Sequence, residues 1–179
     1  MKYRTIVVDP PWSYKTTLPG FGGGIGPRSS VPYSTMTVDQ IKALPILGLA
    51  DTRGSHLYLW TTNTHLESAF GVLRSWGFVF STVLVWAKKP RGSAGFPAYS
   101  GITEYVLFAR RGSCRSEARI DRNWWVWPRG RHSTKPAAFF DLIERVSPGP
   151  RIELFARTQR LGWDSWGDEA LCHVEMATR

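Results

Sequence analysis

Asp9-Pro10-Pro11-Trp12 combines residue types suited to holding an aromatic amine. An ionised carboxylate only accepts hydrogen bonds, and the carbonyl of Pro10, whose own residue carries no N–H, is a second acceptor. Trp12 offers a flat face for a base, a contact worth about 1–3 kcal/mol. Two acceptors beside an aromatic plane suit an exocyclic NH2 on a planar heterocycle. The lone pair of such a nitrogen is delocalised into the ring, which makes it a poor nucleophile. Acceptors drawing on its two hydrogens push it toward tetrahedral geometry and free that pair. The same four residues also read as a strand-ending turn with a core tryptophan, because Asp and Pro are common in turns.

What positions them is the apolar run over 3–8, a short buried strand by its pattern. Two prolines cannot continue a central strand. Asp9 therefore stands at a strand's C-terminal end, the edge where open α/β sheets bind ligands. Further strands are predicted over 56–62, 78–88, 104–110 and 151–156. Thr37-Val38-Asp39-Gln40 has capping-box spacing and opens a helix that Pro45 ends. Thr64-His65-Leu66-Glu67 repeats that spacing before a helix with Leu66, Ala69, Phe70, Leu73 and Trp76 on its core stripe, stopped by Gly77. Pro136, at a first helical position, opens a last helix buried along Phe139, Phe140, Ile143 and Val146. Strands alternating with helices predict an α/β fold with a mostly parallel sheet, and 104–110 returns with antiparallel or mixed pairing at one side. His56 and His65 read as polar surface or capping residues.

Two stretches suggest substrate contacts. Residues 13–30 form a glycine-rich loop without P-loop or dinucleotide spacing, readable as a lid or as inert surface; Lys15 and Arg28 would give it phosphate contacts. Residues 110–131 carry seven arginines, from Arg110 to Arg131, interleaved with Trp124, Trp125 and Trp127. Read as one long loop, they combine phosphate contacts with stacking, although charge runs are often just solvated faces. The net charge of +9 points to a polyanionic partner. The 179 residues suffice for one domain with a substantial core. Cys114 and Cys172 form neither a disulfide framework nor a metal pattern, which fits a reducing cytoplasm. A strand beginning almost at once leaves no leader, and no apolar run approaches the ~20 residues of a membrane span. A monomer and a homodimer are both compatible with this composition.

The tetrapeptide after its apolar strand resembles the catalytic motif of S-adenosylmethionine-dependent adenine-N(6) methyltransferases. More narrowly, the chain resembles the family of the eukaryotic mRNA adenosine methyltransferase catalytic subunit and its small bacterial and phage members. Matching segments follow in order: Pro32-Tyr33-Ser34-Thr35-Met36, Leu57-Tyr58-Leu59-Trp60, Val85-Trp86-Ala87-Lys88, His132-Ser133-Thr134-Lys135-Pro136, and Ile143-Glu144-Arg145 leading into Ile152-Glu153-Leu154-Phe155-Ala156-Arg157.

The resemblance implies a Rossmann-like methyltransferase fold, one domain over 1–169 with a short tail over 170–179, and S-adenosylmethionine as cofactor. It implies catalysis by Asp9, Pro10, Pro11 and Trp12. It assigns the cofactor to Asp9 and Lys135, which meet the ammonium and carboxylate of its methionine part, and to Glu153, Phe155, Arg157, Gln159, Arg160, Asp168 and Glu169. Substrate contacts are expected from Tyr33, Lys88, Glu104, Trp124, Trp125, Arg129, Arg131 and His132. DNA is the expected polymer, with RNA, or a catalytically silent nucleic-acid-binding subunit, as alternatives. Two departures stand out. Asp168-Glu169 replaces the family's Asn-Gln or Asn-Glu, so this pair only accepts hydrogen bonds when ionised. An adenine-contacting strand upstream of the catalytic one is absent from these residues, which leaves another segment, such as the tail, to close that side.

Overall fold

The computed structural model describes residues 2–13, 34–89, 101–128, 130 and 134–167. Along the chain lie β1 (Thr5–Val8), α1 (Val38–Lys42), α2 (Ile46–Leu49), β2 (Gly54–Thr62), α3 (Leu66–Ser75), β3 (Val79–Ala87), β4 (Thr103–Gly112), β5 (Trp124–Val126), α4 (Ala137–Val146), β6 (Arg151–Leu154) and β7 (Trp163–Trp166). The strands form one sheet in the order β5-β3-β4-β2-β1-β6-β7. β1 pairs in parallel with β2 and β6, β6 with β7, and β3 with β5. β4 is antiparallel to both β2 and β3. Among the described strands, all but β4 therefore run in one direction, and the sheet is mostly parallel as expected.

Each face buries its own core, set by the period-2 alternation of the strands. Ile6, Val8, Leu57, Leu59, Leu107 and Ile152 face α1, α2 and α3. Val7, Tyr58, Trp60, Trp86 and Val106 face Phe139, Phe140 and Ile143 of α4. The chain leaves β1 toward β2 on one side and comes back to β6 on the other, so the topological switch point lies at the C-terminal end of β1.

The Thr37 capping box forms, with Gln40 N–H donating to Thr37 Oγ1 at 3.3 Å and Thr37 N–H to Gln40 Oε1 at 2.8 Å. The second does not. A 3-10 turn over Asn63–His65 leads straight into α3, which has no side-chain cap. The reason is His65: its ring stacks on Trp12 at 5.1 Å and its Nε2 meets the Ser13 carbonyl at 3.0 Å, so the turn is shaped by packing. His56 is fully buried too, between Ser147 Oγ at 2.7 Å and the Cys114 carbonyl at 3.1 Å. Neither histidine is a surface residue. Burial, followed by the charges of Arg110 and Arg4, holds His56 below the usual imidazole range, with the Cys114 carbonyl opposing.

The Arg/Trp stretch is not one loop. β5 lies inside it, and Trp124, Trp125 and Val126 pair with Val85, Trp86 and Ala87 at the C-terminal end of β3. Arg110 and Arg111 close β4 at the opposite edge, about 20 Å away for six strand residues.

Segments outside the described residues attach at the same end of the sheet as Asp9. Residues 14–33 leave and return beside the Trp12–Met36 bridge, where Ser13 N–H donates to the Met36 carbonyl at 3.1 Å. Residues 90–100 lie between Lys88 and Ile102, joined by an N–H···O=C bond of 2.9 Å. Residues 131–133 directly precede Thr134 and Lys135, and 168–179 follow β7. No helix among the described residues is long and apolar enough to cross a membrane.

Candidate active site

Asp9 follows Val8, so alternation carries it to the α4 face of the sheet, above Val7. Glu153, in register with Val7, shares that face. β4 starts at this end because it runs antiparallel, and Glu104 stands opposite Thr62 of β2 and Trp86 of β3. Lys88 follows β3 on the side of Trp86. Lys135, just ahead of α4, reaches in from above. Five ionisable residues from five parts of the chain thus meet at the switch point.

Lys135 Nζ lies 2.9 Å from Asp9 Oδ2 and 3.2 Å from Glu104 Oε2, with only 12% of its side chain exposed. Lys88 pairs with the other oxygen of Glu104. The Lys135 ammonium also lies 4.8 Å from the centre of the Trp60 ring, where a cation is attracted to the π face. Burial alone would lower the Lys135 pKa; Asp9 and Glu104 outweigh it and hold the amine firmly protonated. Glu104 answers in kind. Burial raises its pKa, but Lys135 and Lys88 overcome that and keep it ionised. Glu153 differs: burial and the nearby charge of Asp9 push it up to about 7, against weaker pulls from Arg160 and Lys135. The site therefore sets an acid held ionised, Glu104, beside one poised near neutrality, Glu153.

The tetrapeptide forms the expected turn but uses its parts differently. With no N–H on Pro10 or Pro11, the first donor after Asp9 is that of Trp12, and it closes back on the Pro10 carbonyl at 2.8 Å. Pro10 O is thus not free; one of its two lone pairs remains. The Pro11 carbonyl accepts from Met36 N–H at 2.8 Å. Trp12 is not an open stacking face. It is 5% exposed, its Nε1 donates to the Trp60 carbonyl at 3.0 Å, and His65 covers its ring. The prolines direct the indole inward, where it anchors the turn that presents Asp9.

Phe155 follows β6 with a φ of 61°, left-handed and uncommon for a bulky residue, and its ring packs edge-on against Trp166 at 5.1 Å. Arg157 is half-buried and Gln159 exposed beyond it. Arg160 is spent largely on α4: its Nη1 lies 3.3 Å from Asp141 and 3.6 Å from Glu144, and its guanidinium 4.7 Å from the Phe140 ring. Trp124 is 59% exposed at the sheet edge, while Trp125 stacks on Trp127 with centroids 5.3 Å apart. Tyr33, Arg129, Arg131, His132, Asp168 and Glu169 lie outside the described residues, as do Lys15 and Arg28 of the glycine-rich loop. Trp60 and His65 were missed as site residues. The alternation of β2 placed Trp60 on the face of Tyr58; nothing in the sequence paired His65 with Trp12.

The fold and the site define an α/β protein with a buried acid–lysine cluster at the switch point of its sheet. Comparison with known proteins gives this class its family. The MT-A70 family matches residues 3–169. The Type II methyltransferase M.MunI of Mycoplasma sp is 32% identical over 94% of this chain and 78% of that protein. A putative N(6)-adenosine-methyltransferase MT-A70-like of Medicago truncatula is 30% identical over 94% of this chain, and human N(6)-adenosine-methyltransferase catalytic subunit METTL3 is 28% identical over 94%. The chain spans only 26% and 28% of those two proteins. The chain belongs to the MT-A70 family and is a methyltransferase of that class.

Methyltransferases of this family use S-adenosylmethionine, and the residues present fit its amino-acid end. A zwitterion needs a cation for its carboxylate and an anion for its ammonium, and Lys135 and Asp9 stand side by side. Trp60 Nε1, buried on the same face as the cluster, has no hydrogen-bond partner among the described residues, leaving a further donor for an acceptor-bearing ligand. Glu153, in its protonated fraction, can donate to a hydroxyl as well as accept from one.

Proposed function

We propose that this chain methylates N(6) of adenine in DNA. The observation that carries the reading is the Asp9–Lys135–Glu104 cluster against the Asp-Pro-Pro-Trp turn at the switch point. Bound S-adenosylmethionine supplies the electrophilic methyl group. Lys135 holds a carboxylate and fixes the orientation of Asp9. Asp9 accepts one hydrogen of the adenine amine, and the remaining lone pair of Pro10 O accepts the other, aiming the nitrogen lone pair away from the ring. The target base leaves its stack to reach this edge. Since Trp12 is buried, the base lies over the turn and not against the indole. Positioning and fixed electrostatics supply the acceleration, without a covalent intermediate or an obligatory general base: the amine nitrogen takes the methyl as its bond to sulfur breaks, and the proton gripped by Asp9 is then lost to that carboxylate or to water.

A polyanionic substrate is supported by the net charge of +9. DNA is favoured because the bacterial Type II methyltransferase is matched over most of its length, whereas the proteins named for adenosine are matched over about a quarter of theirs. Those adenosine names favour RNA as the second reading.

The test is transfer of tritiated methyl from S-adenosylmethionine to double-stranded DNA, single-stranded DNA and RNA in parallel, with nucleosides identified by mass. Label in N(6)-methyladenine of DNA, reduced at least a hundredfold by Asp9→Ala while cofactor binding at least partly persists, is the expected result. Full turnover by Asp9→Ala overturns the mechanism, and label confined to RNA overturns the choice of polymer.

A further inference from the structure

Away from the Asp9 cluster, on the same α4 face, lies a cavity of about 470 Å³. It exists because α4 packs over Trp60 and Tyr58 through Phe139, while the neighbouring β4 and β3 are covered only by the chain ahead of β5. That segment carries no helix or strand before Trp124, and it leaves a gap that a helix stripe would fill. Phe108, Leu84 and Ile143 make an apolar floor and Trp125 lines the cavity beside them. Arg119, Asp121, Arg122 and Asn123 also line it, two cations to one acid, and all four are exposed.

Size and lining agree with a ligand that is flat and apolar at one end and anionic at the other. Arg119 has no acidic partner among the described residues. Arg122 meets Asp121 at 3.3 Å, but both side chains are well exposed, so water screens the pair and it is readily exchanged. The cavity also joins the catalytic edge through Trp125. Trp125 pairs in register with Trp86, and Trp86 with Glu104, which places it two strand spacings, about 10 Å, from the acid cluster. Trp86 Nε1 donates to the Trp127 carbonyl at 3.0 Å, fixing that connection.

We infer that this cavity takes an unstacked base of the same strand that carries the target adenine, with strand phosphates on Arg119 and Arg122. The inference rests on the nucleic-acid reading above and extends it: the flanking base sits against Trp125 and Phe108, and Asn123, whose Nδ2 donates to the Val83 carbonyl at 3.1 Å, presents its Oδ1 at the rim to accept from one base edge and not another. A cavity this close to the cluster makes target selection depend on a neighbour of the adenine, read on one strand.

Single-stranded oligonucleotides containing one adenine, with 5-iodouracil at successive offsets from it, are irradiated with the full chain and the crosslinks mapped by mass spectrometry. At one offset the crosslink falls on Trp125 or Phe108. Leu142→Trp, which fills the cavity from α4, lowers the yield at that offset about tenfold and leaves other offsets unchanged. Arg119→Glu, at an exposed position that folding does not need, lowers it as well. Crosslinks that avoid every cavity residue, on oligonucleotides that are nonetheless methylated, overturn the inference and leave the function standing. Oligonucleotides that neither crosslink nor accept methyl, single-stranded or annealed to their complements, overturn both. Protection of Trp125 by free adenosine monophosphate, without any oligonucleotide crosslink there, overturns it in favour of a small-molecule site.

Discussion

Lys135 Nζ bridges to Asp9 Oδ2 across 2.9 Å, tying the residue that ends β1 to the residue that precedes α4. Both side chains are mostly shielded from water, so their attraction is weakly screened and removing one partner is costly. It sets where the Asp9 carboxylate points before any ligand arrives.

Lys135→Met is expected to destabilise the fold by about 3 kcal/mol, because Asp9 loses its cation beside Glu104, which keeps only Lys88. Urea denaturation measures it. Adding Glu104→Gln to that variant recovers part of the loss, and strict additivity of the two changes would rule out the shared cluster.

Trp12 separates packing from stacking. Trp12→Ala is expected to cost about 3–5 kcal/mol, as for other large-to-small core changes. Trp12→Phe keeps most of the volume but loses the bond to the Trp60 carbonyl, at about 1–2 kcal/mol. If the ring only anchors the turn, Trp12→Phe retains KM for the polymer and loses thermal stability. A raised KM with unchanged melting temperature would instead make Trp12 a substrate platform.

Glu153 titrates near 7 in the folded protein and near 4.5 when exposed. Between those values the folded state holds a proton that the unfolded state releases. Its contribution to stability is therefore fully present below about pH 4.5 and is lost as pH rises through about 7. Glu153→Gln is expected to gain about 2 kcal/mol at pH 8 relative to the parent and nothing at pH 4.5. Parallel melting curves across that window check it, and a pH-independent difference would refute the assignment.

Gly167 lies directly on the backbone after β6. A Cβ there would stand 2.5 Å from the Ala156 carbonyl oxygen and 2.7 Å from its nitrogen. Gly167→Ala is expected to cost about 1–3 kcal/mol, since main chain and not a flexible side chain must give way. A melting temperature equal to the parent's would show that the β6–β7 ends are looser than described.

Much of this arrangement was legible in the sequence. The apolar run before Asp9, the paired prolines and the Phe139–Ile143 stripe are local signals, and each led to the right element. β5 and β7 were not legible: three or four residues rich in tryptophan have no period to read, and only pairing with β3 and β6 makes them strands. His56 and His65 were misread because the polarity of a side chain says nothing of a partner far along the chain, and Ser147, Cys114 and Ser13 are such partners. The free carbonyl of Pro10 was misjudged for a different reason: a two-residue closure by Trp12 N–H depends on backbone angles that residue types leave open. For Lys135 and Asp9 the residues were identified by resemblance, but that Glu104 completes the bridge depended on β4 running against the rest of the sheet.

The gathering of chain connections at one end of the sheet has a consequence for how such a protein diversifies. Lys88–Ile102 and Ser13–Met36 each clamp the base of an excursion with a main-chain bond, so length and composition beyond the clamp can change without shifting a strand. The described sheet then works as a fixed chassis, its clamps gathered along one rim. Replacing residues 90–100 or 14–33 is therefore expected to leave the core, the acid–lysine cluster and the folding intact.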